Sequence, residues 1–577
     1  MKKVNSLMIE TIREDVQKAF AIKNDHTTKM KVEIDPSKDV KFGDYQCSLA
    51  LKLSKELNKS PREIAEAAAE KLKELAIFEK IEVAGAGFIN MTLSVATLEK
   101  WAKDCLADDH LLVPKGGGEK VIVEFSSPNI AKTMHVGHLR STIIGESIAR
   151  LMEFLGYDVL RLNHVGDFGT QFGMLITYLK KYKPAALMKE AKATLEELVQ
   201  WYKSAKLKFD EDLAFKKLSQ EEVVRLQSGE ESSVAAWKNI CEISRKGFSE
   251  IYELLDVHIE ERGESFYNPI LKKVVDDFKQ KGLSKEDNGA ECVFMEGFKN
   301  QEGDLLPLII QKSDGGFNYA TTDLAAFHYR VTNDQAKRII VVTDLGQKTH
   351  FAMVYKAATL VGYIDESKVK FDHVPFGLVL SPDGKKYKTR SGETEKLSDL
   401  LDEAVIRAKA LLDERGVENN DELAKVLGIS AVKYADLSSN RIKDYTFSYD
   451  RMLRFEGNTA AFILYAFVRI QGIKRKLGIS IKDIENESVI VTHPTERALI
   501  LHLMRFGEIL HMMKEDLLPN HLTDYLFHLS EKFNAFFRDC QVVDNQHTKS
   551  RLLLCELTER HIKTGLYLLG IKTIDRM

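Results

Sequence analysis

His135-Val136-Gly137-His138 places two imidazoles three positions apart around a glycine. The quartet follows an apolar, β-branched run, Val121–Phe125, and opens a segment of helical period, Gly137–Leu155. A helix N-terminus carries free N–H groups and partial positive charge, which suits a phosphate. Two imidazoles there can face one ligand and stabilise negative charge developing on an attacked phosphorus. Gly137 leaves room for a flat ring to approach the backbone. On residue type and spacing alone, two other readings stand beside this one: a pair of capping histidines, and two ligands of a zinc ion with no obvious third.

A second charged stretch, Lys385-Lys386-Tyr387-Lys388-Thr389-Arg390, carries four cations that could grip the β- and γ-phosphates of a nucleotide. It follows Phe376–Leu380, read as an apolar strand, and the turn Ser381-Pro-Asp-Gly384. Its plain alternative is a solvated basic turn. Asn163-His164-Val165-Gly166-Asp167 follows the strand-like Asp158–Leu162. Its residues suit a strand-to-helix turn as well as an active-site loop.

These groups need a scaffold, and the patterning supplies one. Residues 1–115 alternate helical patterns (near Ser6–Ala21, Ser48–Leu57 and Pro61–Leu75) with strand-like Lys31–Ile34 and Ile89–Leu93, which predicts a small α+β domain. Lys115-Gly-Gly-Gly118 punctuates the chain and marks the boundary. Residues 116–455 alternate strands (Val121–Phe125, Asp158–Leu162, Ile339–Thr343) with helices (Gly137–Leu155, Thr170–Tyr182, Thr349–Leu360). That alternation predicts a doubly wound, Rossmann-type parallel sheet, interrupted at about 185–255 by a charged helical insertion. Residues 456–577 carry Leu, Ile and Phe at helical spacing and few glycines, which predicts an all-α bundle. The fold class is therefore α/β and multidomain.

Composition narrows the function classes. The 577 residues hold 83 basic and 86 acidic side chains, a formal charge of −3, which excludes a uniformly basic nucleic-acid coat but not a local basic face. Eleven prolines and 34 glycines exclude a collagenous or largely disordered chain. The six cysteines (47, 105, 241, 292, 540 and 555) include no close pair, so no zinc is expected, and sparse thiols point to a reducing compartment. The opening MKKVNSLMIETIRED is positive but no apolar stretch follows it. The longest apolar run, roughly Ala460–Val468, is about half of the ~18 residues that span a bilayer. A soluble cytoplasmic protein with no membrane contact is expected.

The stretch Glu124-Phe-Ser-Ser-Pro-Asn-Ile-Ala-Lys-Thr-Met-His-Val-Gly-His-Leu-Arg-Ser-Thr142 resembles the nucleotide-binding signature of class I aminoacyl-tRNA synthetases, and within them the arginyl-tRNA synthetases. Six further stretches are similar to that family, in order: Phe42-Gly-Asp-Tyr-Gln46, Asn163–Gly173, Asp314–Asp323, Lys385–Gly392, Lys433–Ser438 and Gly457–Ala460. The resemblance covers nearly the whole chain. It implies that arginine is activated with ATP and Mg²⁺ to arginyl-adenylate and passed to the terminal adenosine of its tRNA.

The resemblance also implies roles. His135, Gly137 and His138 would bind ATP with Lys386 and Lys388, and Arg390 would join them in catalysis. Lys132 would compensate for Thr389, which stands where class I enzymes usually carry lysine. Glu124, Glu264 and Asp323 would face the guanidinium, with Tyr319 as a wall. Ser127, Pro128, Asn129 and Gln347 would hold the amino acid's α-amino and carboxylate groups beside His138. His164 and Asp167 either touch the substrate or support residues that do, and Phe168 replaces the tryptophan of many relatives. Phe88 and Asn90, in Gly85-Ala-Gly-Phe-Ile-Asn90, would meet a D-loop base of the tRNA elbow. Tyr465 or Phe467, with Arg469 and the cluster Lys474-Arg475-Lys476, would meet the anticodon end. A monomer is expected. Two rival functions remain: another nucleotidylyltransferase on the same fold, and a tRNA-binding scaffold without catalysis.

Overall fold

The computed structural model of the chain describes residues 7–20, 32–37, 39–187, 193–300, 302–381, 383–385, 395–417 and 420–577. They fall into two compact units. Residues 1–115, 454–567 and 572–577 make one, and 116–453 with 568–571 make the other.

The second unit is built on a five-stranded parallel sheet: β1 (Lys120–Glu124), β2 (Asp158–Asn163), β3 (Glu260–Glu261), β4 (Arg338–Asp344) and β5 (Lys370–Phe376), in the order β5-β4-β1-β2-β3. Helices cover both faces of such a sheet, so its strands read as unbroken apolar runs. Val121, Ile122 and Val123 of β1 and Ile339–Val342 of β4 are accordingly almost wholly buried. Each contributes about 1.5–3 kcal/mol relative to exposure. Ile122, Leu162, Ile339 and Val341 share one core with Leu324, Phe327 and Val354.

Topology decides where a ligand can go. From β1 the chain moves outward to β2 and β3, then returns to the other side of β1 for β4 and β5. Connections therefore diverge at the carboxyl ends of β1 and β4, and the crevice opens there. α1 (Val136–Phe154) links β1 to β2 and starts at that crevice. Between β2 and β3 lies the helical insertion, Leu195–Glu211, Leu213–Gln227 and Glu231–Leu254. Between β3 and β4, the helix Asn268–Gln280 leads into an antiparallel three-stranded sheet (Lys285–Asp287, Ala290–Lys299 and Leu305–Gln311), and α2 (Tyr319–Thr332) follows.

Two strands differ from expectation: among the described residues of Lys31–Ile34 only Ile34 is strand, opening Ile34–Pro36, and the other lies beside the crevice. Phe376–Leu380 is not a single strand. Phe376 ends β5, Gly377 and Leu378 form a strap, and Val379–Leu380 pairs in parallel with Tyr445–Thr446. The sheet strand is Lys370–Phe376, whose charged and imidazole residues suit an edge position but hide the strand from apolar patterning.

The first unit joins the α+β domain to the helical one. Its four-stranded antiparallel sheet runs Ile34–Pro36, Tyr45–Cys47, Phe88–Leu93, Phe78–Ala84. The helices Ala460–Leu477, Pro494–Met504, Phe506–Asp516, Asn520–Asp539 and Thr548–Leu568 build the C-terminal part. Arg497 binds Asp44 Oδ2 at 2.6 Å, Tyr45 donates to Glu508 at 3.4 Å, and Arg560 donates to Leu106 O at 2.9 Å. Asp44 and Tyr45 of the Phe42–Gln46 motif thus fasten these two parts together. All six cysteines are buried and unlinked. No helix among the described residues is long and apolar enough to cross a membrane.

Candidate active site

The loop from β1 to α1 departs from relaxed backbone geometry. Ser126, Ser127 and Ala131 all have positive φ (70°, 47° and 60°), which costs non-glycine residues about 1 kcal/mol or more each. Its surroundings hold it there. Ser126 N donates to Ser141 Oγ at 2.9 Å, Ser127 N to Asn163 Oδ1 at 3.0 Å and Ala131 N to Ser244 Oγ at 3.0 Å. Tyr252 lies 2.8 Å from Ser126 Oγ and 3.0 Å from Asn163 Nδ2, tying the loop to the insertion helix. Asn129 bridges to Gly166, and Pro128 O accepts from Gly166 N at 3.1 Å. A Cβ at position 166 would stand 2.3 Å from Asn129 Oδ1, so any larger residue would displace the Asn129 side chain.

The two histidines cap α1 reciprocally. His135 Nδ1 accepts from Gly137 N, and His138 Nδ1 accepts from His135 N, both at 3.1 Å. Their rings lie 4.0 Å apart between centroids. An imidazole nitrogen that accepts cannot also carry the proton, so each neutral ring bears its hydrogen on Nε2, away from the cap. Burial pushes the His138 pKa down to about 3, aided by His135 and the charge of Lys132. His138 is therefore a neutral donor near pH 7. Capping and ligand binding are not exclusive: the cap fixes the tautomer that binding would use. Gly137 sits so close to the His135 ring that a Cβ would approach it to 2.9 Å.

Both rings line a cavity of about 430 Å³ with Ser126, Ser127, Asn129, Asp344, Gln347 and the strap Phe376–Val379. Arg140, fully buried, holds that strap. It donates to Gly377 O at 2.6 Å and pairs with the buried Asp436 at 3.1 Å. Asn163 belongs to the loop singled out in the sequence, whereas Tyr252 and the role of Arg140 were missed by sequence reasoning.

Lys386, Lys388 and Arg390 lie outside the described residues. The described chain on either side of them is held by backbone bonds. Ser381 N donates to Lys385 O at 2.8 Å on one side. On the other, Lys396 bridges to His135, and Leu397 N donates to Met134 O at 2.9 Å. Lys132 is exposed.

Acidic groups gather beyond the cavity. The carboxyl of Glu264 is pushed up to about 8, first by burial and then by the negative charges of Asp323 and Asp167. Burial also raises Asp167, against two bonds from Ser265 (2.8 and 2.6 Å). Asp167 thus supports the 263–265 turn, and its carbonyl accepts from Trp237 at 2.8 Å. Asp323 meets His350 at 2.6 Å and His164 at 4.0 Å, and exposed Tyr319 packs its ring edge on His350. Two carboxyls repelling each other in a low-dielectric pouch suit a cationic ligand. Glu124 has a partner within the fold. It is buried and paired with Arg330 at 2.5 Å, so its charge is already answered from within the fold. Gln347 donates to Asp344 at 3.1 Å at the cavity wall.

The residues expected at tRNA divide likewise. Tyr465 is 44% exposed, and Arg469 lies over its ring at 4.9 Å while donating to Asn534 at 2.6 Å. Phe467 is a core residue, which removes it as a base platform. Lys474 is held by Glu556 and Glu559 at 2.6 and 2.7 Å, whereas Arg475 and Lys476 are exposed, with Arg475 donating to Asp575 O at 2.9 Å. Phe88 is half-buried beside the Gly85–Gly87 turn. Asn90 is buried, with its carbonyl oxygen accepting from Gln46 at 2.8 Å.

Comparison with known proteins agrees with this layout. Residues 102–449 match the family described as tRNA synthetases class I (R), catalytic domain. Residues 463–577 match the DALR anticodon binding domain, and 6–93 the arginyl tRNA synthetase N terminal domain. The chain is 56% identical to an arginine–tRNA ligase of Protochlamydia amoebophila over 94% of both chains. It is 51% identical to one of Picosynechococcus over the full length of both. The crystal structure of arginyl-tRNA synthetase from Plasmodium falciparum superposes with a TM-score of 0.87 at 36% identity, covering 99% of this chain and 100% of that one. The Thermus thermophilus arginyl-tRNA synthetase shares the fold, with a TM-score of 0.80 at 23% identity over 99% of this chain and 100% of that one. With this identity spread over the whole length, the chain belongs to the arginyl-tRNA synthetase family, on the class I catalytic fold.

Proposed function

We propose that the protein is an arginine–tRNA ligase whose chemistry runs in the crevice between β1 and β4. Arginine's carboxylate attacks the α-phosphate of MgATP; the bond to the β-phosphate breaks and pyrophosphate leaves, giving arginyl-adenylate. A hydroxyl of the tRNA's terminal adenosine then attacks the activated carbonyl, and AMP leaves. The side chains do little covalent work here, so rate comes from positioning and charge stabilisation. Neutral His135 and His138 turn Nε2–H donors toward the reacting phosphate at the positive end of α1. Lys132, with Lys386, Lys388 and Arg390, supplies cationic charge for the phosphates. Ser127, Asn129 and Gln347 bind arginine's α-substituents, with Pro128 shaping the loop between them. Glu264 and Asp323 take the guanidinium against Tyr319. Glu124, held by its pair with Arg330, completes the acidic side of that pouch.

The observation that carries this reading is the pairing of a nucleotide-sized cavity at a histidine-capped helix with a pouch of mutually repelling carboxyls. Residues 1–115 grip the tRNA elbow through Phe88 and Asn90. The part from 456 to 577 grips the anticodon end through Tyr465 and Arg469. The enzyme works as a cytoplasmic monomer. ATP–pyrophosphate exchange, run with and without tRNA, tests the proposal. Exchange that depends on arginine supports it, and no exchange under either condition returns the chain to the tRNA-binding scaffold.

A further inference from the structure

His350 lies on the helix Lys348–Leu360, three residues after Gln347, and belongs to none of the stretches that carry the family resemblance. Its Nε2 donates to Asp323 Oδ2 at 2.6 Å. Its ring meets the edge of Tyr319 at 4.8 Å and that of Phe351 at 5.2 Å. His350 and Asp323 side chains are each only 17% exposed. His164 Nε2 stands 4.0 Å from the other carboxylate oxygen, Oδ1. One imidazole therefore holds both groups assigned to the far side of the guanidinium, the carboxylate and the aromatic wall.

A carboxylate offers about four lone-pair directions. A donor fixed on Oδ2 stops the group from turning, and so fixes the direction in which a second donor must approach. A guanidinium brings a rigid planar fork that fits one such direction, whereas an ammonium is a compact charge that a freely turning carboxylate would follow equally well. We propose that His350 is a positioning residue for arginine selection. It sets the orientation of Asp323 and Tyr319, so that the pouch accepts a planar fork and discriminates against lysine.

This inference rests on the assignment of Asp323 to the guanidinium, and the test separates the two. Aminoacylation kinetics are measured for wild type, His350→Leu (volume without a donor), His350→Gln (an amide donor), Asp323→Asn and the double variant His350→Leu/Asp323→Asn. Expected for His350→Leu is a rise of about tenfold or more in the arginine KM, with kcat and the KM values for ATP and tRNA within about twofold. Arginine's preference over lysine in pyrophosphate exchange falls in parallel, and His350→Gln recovers most of both. In the Asp323→Asn background, His350→Leu adds no further rise. An unchanged arginine KM in His350→Leu beside a raised one in Asp323→Asn overturns the role of His350 and leaves the pouch standing. So does a His350→Leu variant that lowers kcat and shifts every KM alike, or one whose effect multiplies with that of Asp323→Asn. An unchanged arginine KM in Asp323→Asn itself overturns the pouch assignment, and the inference with it.

Discussion

Glu264 makes arginine binding a proton-linked event. Its carboxyl pKa of about 8 arises from burial and from the charges of Asp323 and Asp167. The sign follows from linkage. The folded pKa lies above the ordinary value of 4.5, so this group's contribution to stability is complete below pH 4.5 and is lost as pH rises through about 8. A guanidinium reverses the balance, because it pairs with the ionised form. At pH 7 a group of pKa 8 is roughly 90% protonated, so arginine binding should release about 0.9 proton. The apparent Kd should weaken about fivefold from pH 8 to pH 7 and about 50-fold from pH 8 to pH 6, equivalent to about 2.3 kcal/mol. Isothermal titration calorimetry in two buffers of different ionisation enthalpy counts the proton directly. Glu264→Gln should bind more weakly at pH 8, with a flat Kd across the range and no proton release. A wild-type Kd independent of pH, or a slope that survives in Glu264→Gln, would refute this reasoning.

Other expectations concern parts with different jobs. His138→Ala should slow adenylate formation about 10²–10³-fold in single-turnover kinetics while tRNA binding changes little, because the ring donates only where charge develops; the reverse pattern would make the capping role its only one. Arg140→Met leaves Asp436 buried without its cation and releases the strap at Gly377. Denaturant unfolding should show a loss of about 3–5 kcal/mol, and a loss below 1 kcal/mol would contradict that account. Tyr465→Ala should weaken tRNA binding by about 1–3 kcal/mol, the worth of one base–aromatic stack, with arginine and ATP KM unchanged; unaltered tRNA affinity would return Tyr465 to the ordinary surface.

The sheet was legible because its inner strands are buried on both sides and so are apolar without interruption, as in Val121-Ile122-Val123. Lys370–Phe376 was not, because an edge strand keeps polar side chains. His135, Gly137 and His138 were visible in the sequence, but the reason both rings turn Nε2 outward was not, since it depends on hydrogen bonds that exist only once α1 has formed. The pouch was beyond any spacing argument: Glu264 and Asp323 lie 59 positions apart in the sequence and meet only through tertiary packing. Residues that act through others left the faintest mark. Arg140, Arg330 and His350 each look like a common polar residue on an amphipathic helix until the partner is known. That Glu124 meets Arg330, and that Lys474 meets Glu556 and Glu559, was not legible either, because a sequence does not show which charges the fold pairs.

A crystal structure with L-arginine and a non-hydrolysable ATP analogue bound together tests the central claim most directly. The account predicts the α-phosphate within hydrogen-bonding reach of Nε2 of His135 and His138, arginine's carboxylate in line with it, and the guanidinium between Glu264 and Asp323. Arginine bound away from those two carboxylates, or a nucleotide that leaves the mouth of α1 empty, would contradict it.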